Sequence, residues 1–150
     1  GPKNSRDAME RQKGFLQACR DHGLENRQIA VFQGDFHEPA GERCAEYLLR
    51  QDKLPDGIFA ANDMMAIGCM RVLQNAGVKI PGDTRLVGFD DVVLASYVEP
   101  SLTTIRVPYE DLARIATEEL VKQIDHPVRK TVKVRLEAEL VVRRSCGAKA

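Results

Sequence analysis

Two short apolar runs in this chain stop abruptly at polar side chains. Ile58-Phe59-Ala60-Ala61 ends in Asn62-Asp63, and Leu86-Val87-Gly88-Phe89 ends in Asp90-Asp91. The first passes directly into helix-forming sequence. A strand that stops at a polar pair before a helix sets those side chains at the carboxyl end of a sheet, where open α/β sheets bind small molecules. Two such endings joined by one helix imply a single ligand site served by neighbouring strands.

The rest of the chain fits the same plan. Ala8, Arg11, Phe15, Ala18, Cys19 and His22 follow helical spacing within a helix predicted over residues 5–21, with Asn4 or Ser5 as N-cap and Gly23 as its stop. Ile29–Gln33 reads as a strand that ends in the turn-like Gly34–His37. A second helix is expected over 39–50. The third, over 63–76, has so wide an apolar face that it must pack against a sheet, and Gly77 suits its C′ position. Ile80–Asp83 is a turn, Leu102–Val107 another strand. Pro108 opens a fourth helix whose stripe of Leu112, Ile115, Ala116, Leu120 and Ile124 is expected to be buried. Val132, Val134, Leu136, Ala138, Leu140 and Val142 alternate with polar residues as one strand, or two with a turn, exposed on one face. Alternating helices and strands predict an α/β fold with a parallel sheet covered on both sides. The opening helix lacks the preceding strand that a right-handed crossover requires. Residues 147–150 read as a loose tail.

Several function classes are disfavoured by composition. The chain has 150 residues, one domain's worth, with 22 basic and 22 acidic side chains. Its basic pairs, Arg129-Lys130, Lys133 with Arg135, and Arg143-Arg144, read as a solvated strand face rather than a DNA grip. No apolar run approaches the roughly 18 residues of a membrane span. Of the four cysteines, Cys19, Cys44 and Cys69 fall on apolar helix faces and Cys146 near the end. This is a reduced, cytoplasmic pattern rather than a disulfide framework. His22, His37 and His126 are too scattered for a metal site. No phosphate loop, nucleophile elbow or magnesium phosphoacceptor arrangement is evident, so neither an enzyme nor a cofactor is expected.

The stretch Ala61–Gly68, the segment from Gly77 to Pro81, Val87–Asp91, Pro100–Ile105 and Glu139–Ser145 together resemble bacterial repressors of the LacI/GalR family, as do Gly1-Pro2 and Arg11–Phe15. The resemblance covers nearly the whole chain, in the family's order and spacing. It implies a fold like that of periplasmic sugar-binding proteins, two α/β subdomains around a cleft. Residues 1–146 correspond mainly to the second subdomain of the effector-binding region. It further implies a homodimer that binds operator DNA through a helix-turn-helix headpiece not found in these residues. The effector would be a sugar, sugar acid or sugar phosphate. A periplasmic sugar receptor of a transport system is the alternative.

On that resemblance Asp90 and Asn62 match ligand positions, suited to sugar hydroxyls as acceptor and as mixed donor and acceptor. Arg11 matches a position facing the cleft. Phe36 either covers one face of the ligand or belongs to the core. Asp7 matches a variable contact position. Asp63 is expected chiefly to cap the helix after it, and Asp91 to cap the next segment. Val107 stands where some relatives carry a polar contact residue.

Overall fold

The computed structural model describes residues 1–125 and 132–148. The elements run α1 (Arg6–Asp21), a 3-10 turn (Asn26–Gln28), α2 (Glu38–Leu49), β1 (Gly57–Phe59), α3 (Asp63–Asn75), β2 (Arg85–Val87), α4 (Leu94–Tyr97), β3 (Thr104–Arg106), α5 (Tyr109–Asp125), β4 (Glu139–Val141) and a closing 3-10 turn (Arg144–Cys146).

The strands β1 and β2 pair in parallel, with Ile58 opposite Leu86. Parallel bridges from Val87 to Thr103 and from Asp90 to Arg106 carry the sheet on to β3. β4 then pairs antiparallel with β3, Ile105 opposite Leu140. The strand order is β1-β2-β3-β4, parallel except at its last member, which accords with the α/β expectation.

Side chains alternate across a strand, and β1 shows the consequence. Ile58 packs against the main core. Phe59, on the other face, stacks on Phe15 of α1 with ring centroids 5.5 Å apart. Thus α1 lies across the sheet from α2 and α3. The core fills the space between α3, α2 and β2: Met65, Ala66, Cys69, Met70 and Leu73 meet Ala40, Ala45 and Leu86, all buried. The wide face of α3 explains this, since one helix must serve both the sheet and α2. Two glycines let the helices cross closely. A methyl group on Gly41 would overlap the Met65 carbonyl, and one on Gly68 would overlap that of Glu38. Burial pushes the Cys69 thiol up to about 12, reinforced by neighbouring Cys44, so this cysteine is an inert core residue.

Four sequence expectations need correction. Ile29–Gln33 forms no ladder among the described residues; it is an extended connector in which Val31 is exposed and Phe32 tilts against Tyr47. An apolar run becomes a strand only where a neighbour completes its hydrogen bonds. The stripe expected to be buried on α5 is not: Leu112, Leu120 and Ile124 are all more than half exposed, and no residue of this helix is buried. Of the alternating segment 132–142, only Glu139–Val141 pairs, because β3 offers just three partners. Lastly, the cap of α3 is Asn62 rather than Asp63. His126, Arg129, Lys130, Lys149 and Ala150 lie outside the described residues. No helix among those described is long and apolar enough to cross a membrane.

Candidate ligand site

Ser5 starts α1 by accepting from the Ala8 amide, as expected of an N-cap. Arg11 then emerges over the carboxyl end of the sheet. Its Nη1 donates to the Ala61 carbonyl at 2.6 Å, and its Nη2 sits 3.4 Å from Asp90 Oδ1. The guanidinium lies over the Phe89 ring at 3.8 Å and over Phe36 at 5.5 Å. An aromatic face attracts a cation, so two rings hold the guanidinium in place. Phe36 packs against the core cluster, as one of its two expected roles has it, and its ring also meets Arg11.

Asp90 also accepts from the Tyr109 hydroxyl at 3.0 Å, again through Oδ1. Its Oδ2 accepts no hydrogen bond from the described residues. Burial raises the carboxyl above its usual range; the Arg11 charge and the Tyr109 hydrogen bond pull it back, and the Asp7 charge adds to the rise. Tyr109 is raised too, by burial and then by the Asp90 charge, so it stays a neutral donor.

Asn62 is buried and largely occupied. Its Oδ1 accepts from the Met65 amide at 3.0 Å and its Nδ2 donates to the Phe36 carbonyl at 2.7 Å. One amide hydrogen remains for anything else. Asp63, first residue of α3, is fully buried: Thr104 Oγ1 donates to its Oδ1 at 2.6 Å, and the Val92 amide to its Oδ2 at 2.9 Å. This carboxylate therefore ties the end of β1 to β3 and to the loop after Asp90. Asp91 caps nothing. Its oxygens are taken by Arg143 Nη2 and Arg106 Nε, each at 2.7 Å, and the N-cap position of α4 falls to Val93, which makes no side-chain cap. Two arginines from elsewhere in the chain outcompete one local amide.

Backbone geometry singles out the same place. Phe36, Asp90 and Asp91 have φ values of 70°, 114° and 56°, a region that residues other than glycine seldom enter. Conformations of this sort cost on the order of 1–3 kcal/mol each and cluster at ligand sites.

Beside Arg11 opens a cleft of about 330 Å³, lined among others by Asp7, Glu10, Phe89, Val107 and Leu112. That suffices for a small organic ligand. A second depression of about 470 Å³ lies among Asp52, Lys53, Asp56 and Asp83, at the amino ends of β1 and β2; it is at the wrong sheet edge for the polar strand ends. Arg11, Phe36, Asn62 and Asp90 thus form one contact network and Asp7 lines the adjoining cleft. Val107 adds apolar wall where a polar contact was in question. Sequence reasoning missed Phe89 and Tyr109. Phe89 had a signal, being the last apolar residue before Asp90; Tyr109 looked like an ordinary helix start. Among the described residues no group of His, Cys, Asp or Glu could hold a metal ion.

Residues 1–146 match the periplasmic binding protein-like domain family. The chain is 34% identical to the ribose operon repressor of Halalkalibacterium halodurans, over 97% of this chain and 43% of that protein. The structure overlays on the cellobiose complex of the transcriptional regulator CelR with a TM-score of 0.88 at 33% identity, covering 97% of this chain and 44% of that one. A LacI family regulator from Enterococcus faecium with bound ribose gives 0.87 at 29% identity, over 96% of this chain and 53% of that one. These relatives are regulators rather than enzymes, and this chain spans about half their length or less. The chain belongs to the periplasmic binding protein-like domain family, in the form found in LacI-type transcriptional regulators.

Proposed function

We propose that these residues form part of the effector-binding region of a cytoplasmic, homodimeric regulator, in which a small hydroxyl-bearing molecule, a sugar or sugar derivative, controls operator binding by a separate headpiece. The observation that carries this reading is the Arg11–Asp90 pair at the carboxyl end of the sheet, its guanidinium over the Phe89 and Phe36 rings, with strained backbone at Phe36 and Asp90. Arg11 and Asp90 supply donor and acceptor side by side. Asp7 and the remaining Asn62 hydrogen stand at the margin as further contacts. Relatives that read two-fold-related half-sites need a two-fold protein, which is why a homodimer is expected. The effector acts through its differential affinity for two arrangements of the regulator, so residues that touch only the effector alter induction without altering intrinsic DNA affinity.

The test is calorimetry of the intact regulator with effectors found by a thermal-shift screen. Asp90→Ala should weaken effector binding by about 1–3 kcal/mol, the range for a lost charged hydrogen-bond partner. Operator affinity without effector should barely change. Normal effector binding by the variant would remove Asp90 from the site.

A further inference from the structure

The cleft contains an imbalance of charge that bears on which effectors it accepts. Arg11 is its one cation among the described lining residues, against the carboxylates of Asp7 and Glu10, and Asp90 pairs with Arg11 beside the cleft. That cation is already committed: Nη2 faces Asp90, Nη1 donates to the Ala61 carbonyl, and the guanidinium lies over the Phe89 and Phe36 rings. An incoming carboxylate or phosphate would have to share Arg11 with Asp90, which sets like charges side by side within a partly dehydrated site. The hydroxyl of Tyr109 cannot relieve this, because its proton points to Asp90.

A neutral hydroxyl meets the opposite situation. Asp90 Oδ2 is an acceptor without a partner among the described residues, and Arg11 retains N–H groups beyond the two contacts named. One hydroxyl can donate to the first and accept from the second. The Tyr109 oxygen keeps lone pairs for a neighbouring hydroxyl. Val107 and Leu112 offer an apolar wall to the C–H face of a ring. Deepening the reading above, on which it rests, we propose that the effector is a neutral polyhydroxylated molecule, and that Asp7, Glu10 and Asp90 exclude sugar acids and sugar phosphates.

Matched pairs test this on the intact regulator: glucose with glucuronate and glucose 6-phosphate, galactose with galacturonate, ribose with ribose 5-phosphate, and cellobiose with cellobionate. Calorimetry should find at least one neutral member that binds, with its anionic counterparts about 100-fold weaker, the size expected of like-charge juxtaposition. The double variant Asp7→Asn with Glu10→Gln should narrow that gap about tenfold by removing part of the repulsion. Because Asp7 also stands as a contact for the neutral sugar, the narrowing is read from the anionic member, whose own affinity should rise in the double variant. An anionic member that binds as well as or better than its neutral partner overturns the proposal while leaving the effector-site reading intact. No binding by any member of either class overturns both. An unchanged gap in the double variant, with the neutral sugar still bound, overturns the role of Asp7 and Glu10.

Discussion

Helices α3 and α5 carry the same kind of apolar stripe, yet one is the centre of the core and the other has no buried residue. On α3, Leu73 and Ala66 have no exposed surface. On α5, Ile124 is 69% exposed and Leu120 59%. Helical periodicity says which residues of a helix can face a partner; it says nothing of whether the partner is there. The partner of α3 comes from nearby sequence, as α2 and β2 flank it on either side in the chain. Among the described residues α5 has nothing comparable.

The comparison breaks most sharply at Leu73. Leu73→Ala should destabilise the chain by about 2–5 kcal/mol, the range for a large-to-small change in a close-packed core. Urea unfolding followed by circular dichroism measures it. A loss below about 1 kcal/mol, the scale of an ordinary point substitution, would mean that the α3 core is loosely packed and that the contrast with α5 is overstated.

Asp63 comes next. Asp63→Ala leaves the Thr104 hydroxyl and the Val92 amide without their acceptor, and should cost about 1–3 kcal/mol. Its pH dependence has a definite sign. Burial raises the folded-state Asp63 carboxyl, against the hydrogen bonds from Thr104 and Val92. The folded chain then holds this proton more tightly than the unfolded chain, so this residue makes stability fall as pH rises from the ordinary carboxylate value through the raised one. Asp91 has the opposite sign. Burial tends to raise it, but the hydrogen bonds and charges of Arg106 and Arg143 outweigh that and hold it low. Its stabilisation is present above the ordinary carboxylate value and lost as pH falls through the lowered one. Urea midpoints across acid pH should therefore shift in opposite directions for Asp63→Asn and Asp91→Asn; shifts of the same sign would contradict the assignment.

The polar strand ends were legible because they are local. A run of apolar residues that stops at Asn62-Asp63 or Asp90-Asp91 declares which sheet edge those side chains occupy. The division of labour between neighbours was not legible. Asn62 and Asp63 are equally good caps by type; Asp63 is drawn away by Thr104, 41 residues later in the chain. Asp91 is drawn off by Arg143, 52 residues later. The Ile29–Gln33 run failed for a related reason, since a strand's existence depends on its neighbour. Arg11 lying over the Phe89 and Phe36 rings is a fact of tertiary packing with no mark in the sequence.

Asn62 sharpens the comparison at a smaller scale, because it caps α3 and belongs to the proposed site as well. Loss of an N-cap costs about 0.5–2 kcal/mol. Asn62→Ala should fall in that range, and Asn62→Asp should recover most of it, since the carboxylate can still accept from Met65. In the intact regulator neither variant would keep the hydrogen bond from Nδ2 to the Phe36 carbonyl, so effector binding should weaken in both. If Asn62→Asp restores stability and effector binding alike, the link to Phe36 is irrelevant to the site.

The smallest effect is expected on α5, and it decides what its stripe is for. Leu120→Ala removes side-chain atoms that are already mostly in water. In the 150-residue chain it should change stability by no more than about 0.5 kcal/mol, as surface substitutions do. In the intact regulator the same change should cost several times more, if other parts of that protein cover this face. Contiguous exposed apolar surface often marks a contact surface. Equal, near-zero effects in both would mean that α5 remains a solvent-facing helix in the proposed regulator as well. A large effect in the 150-residue chain would mean that its α5 stripe is covered in solution, by another part of the chain or by a second copy. Sedimentation across a concentration series separates these, because only the second depends on concentration.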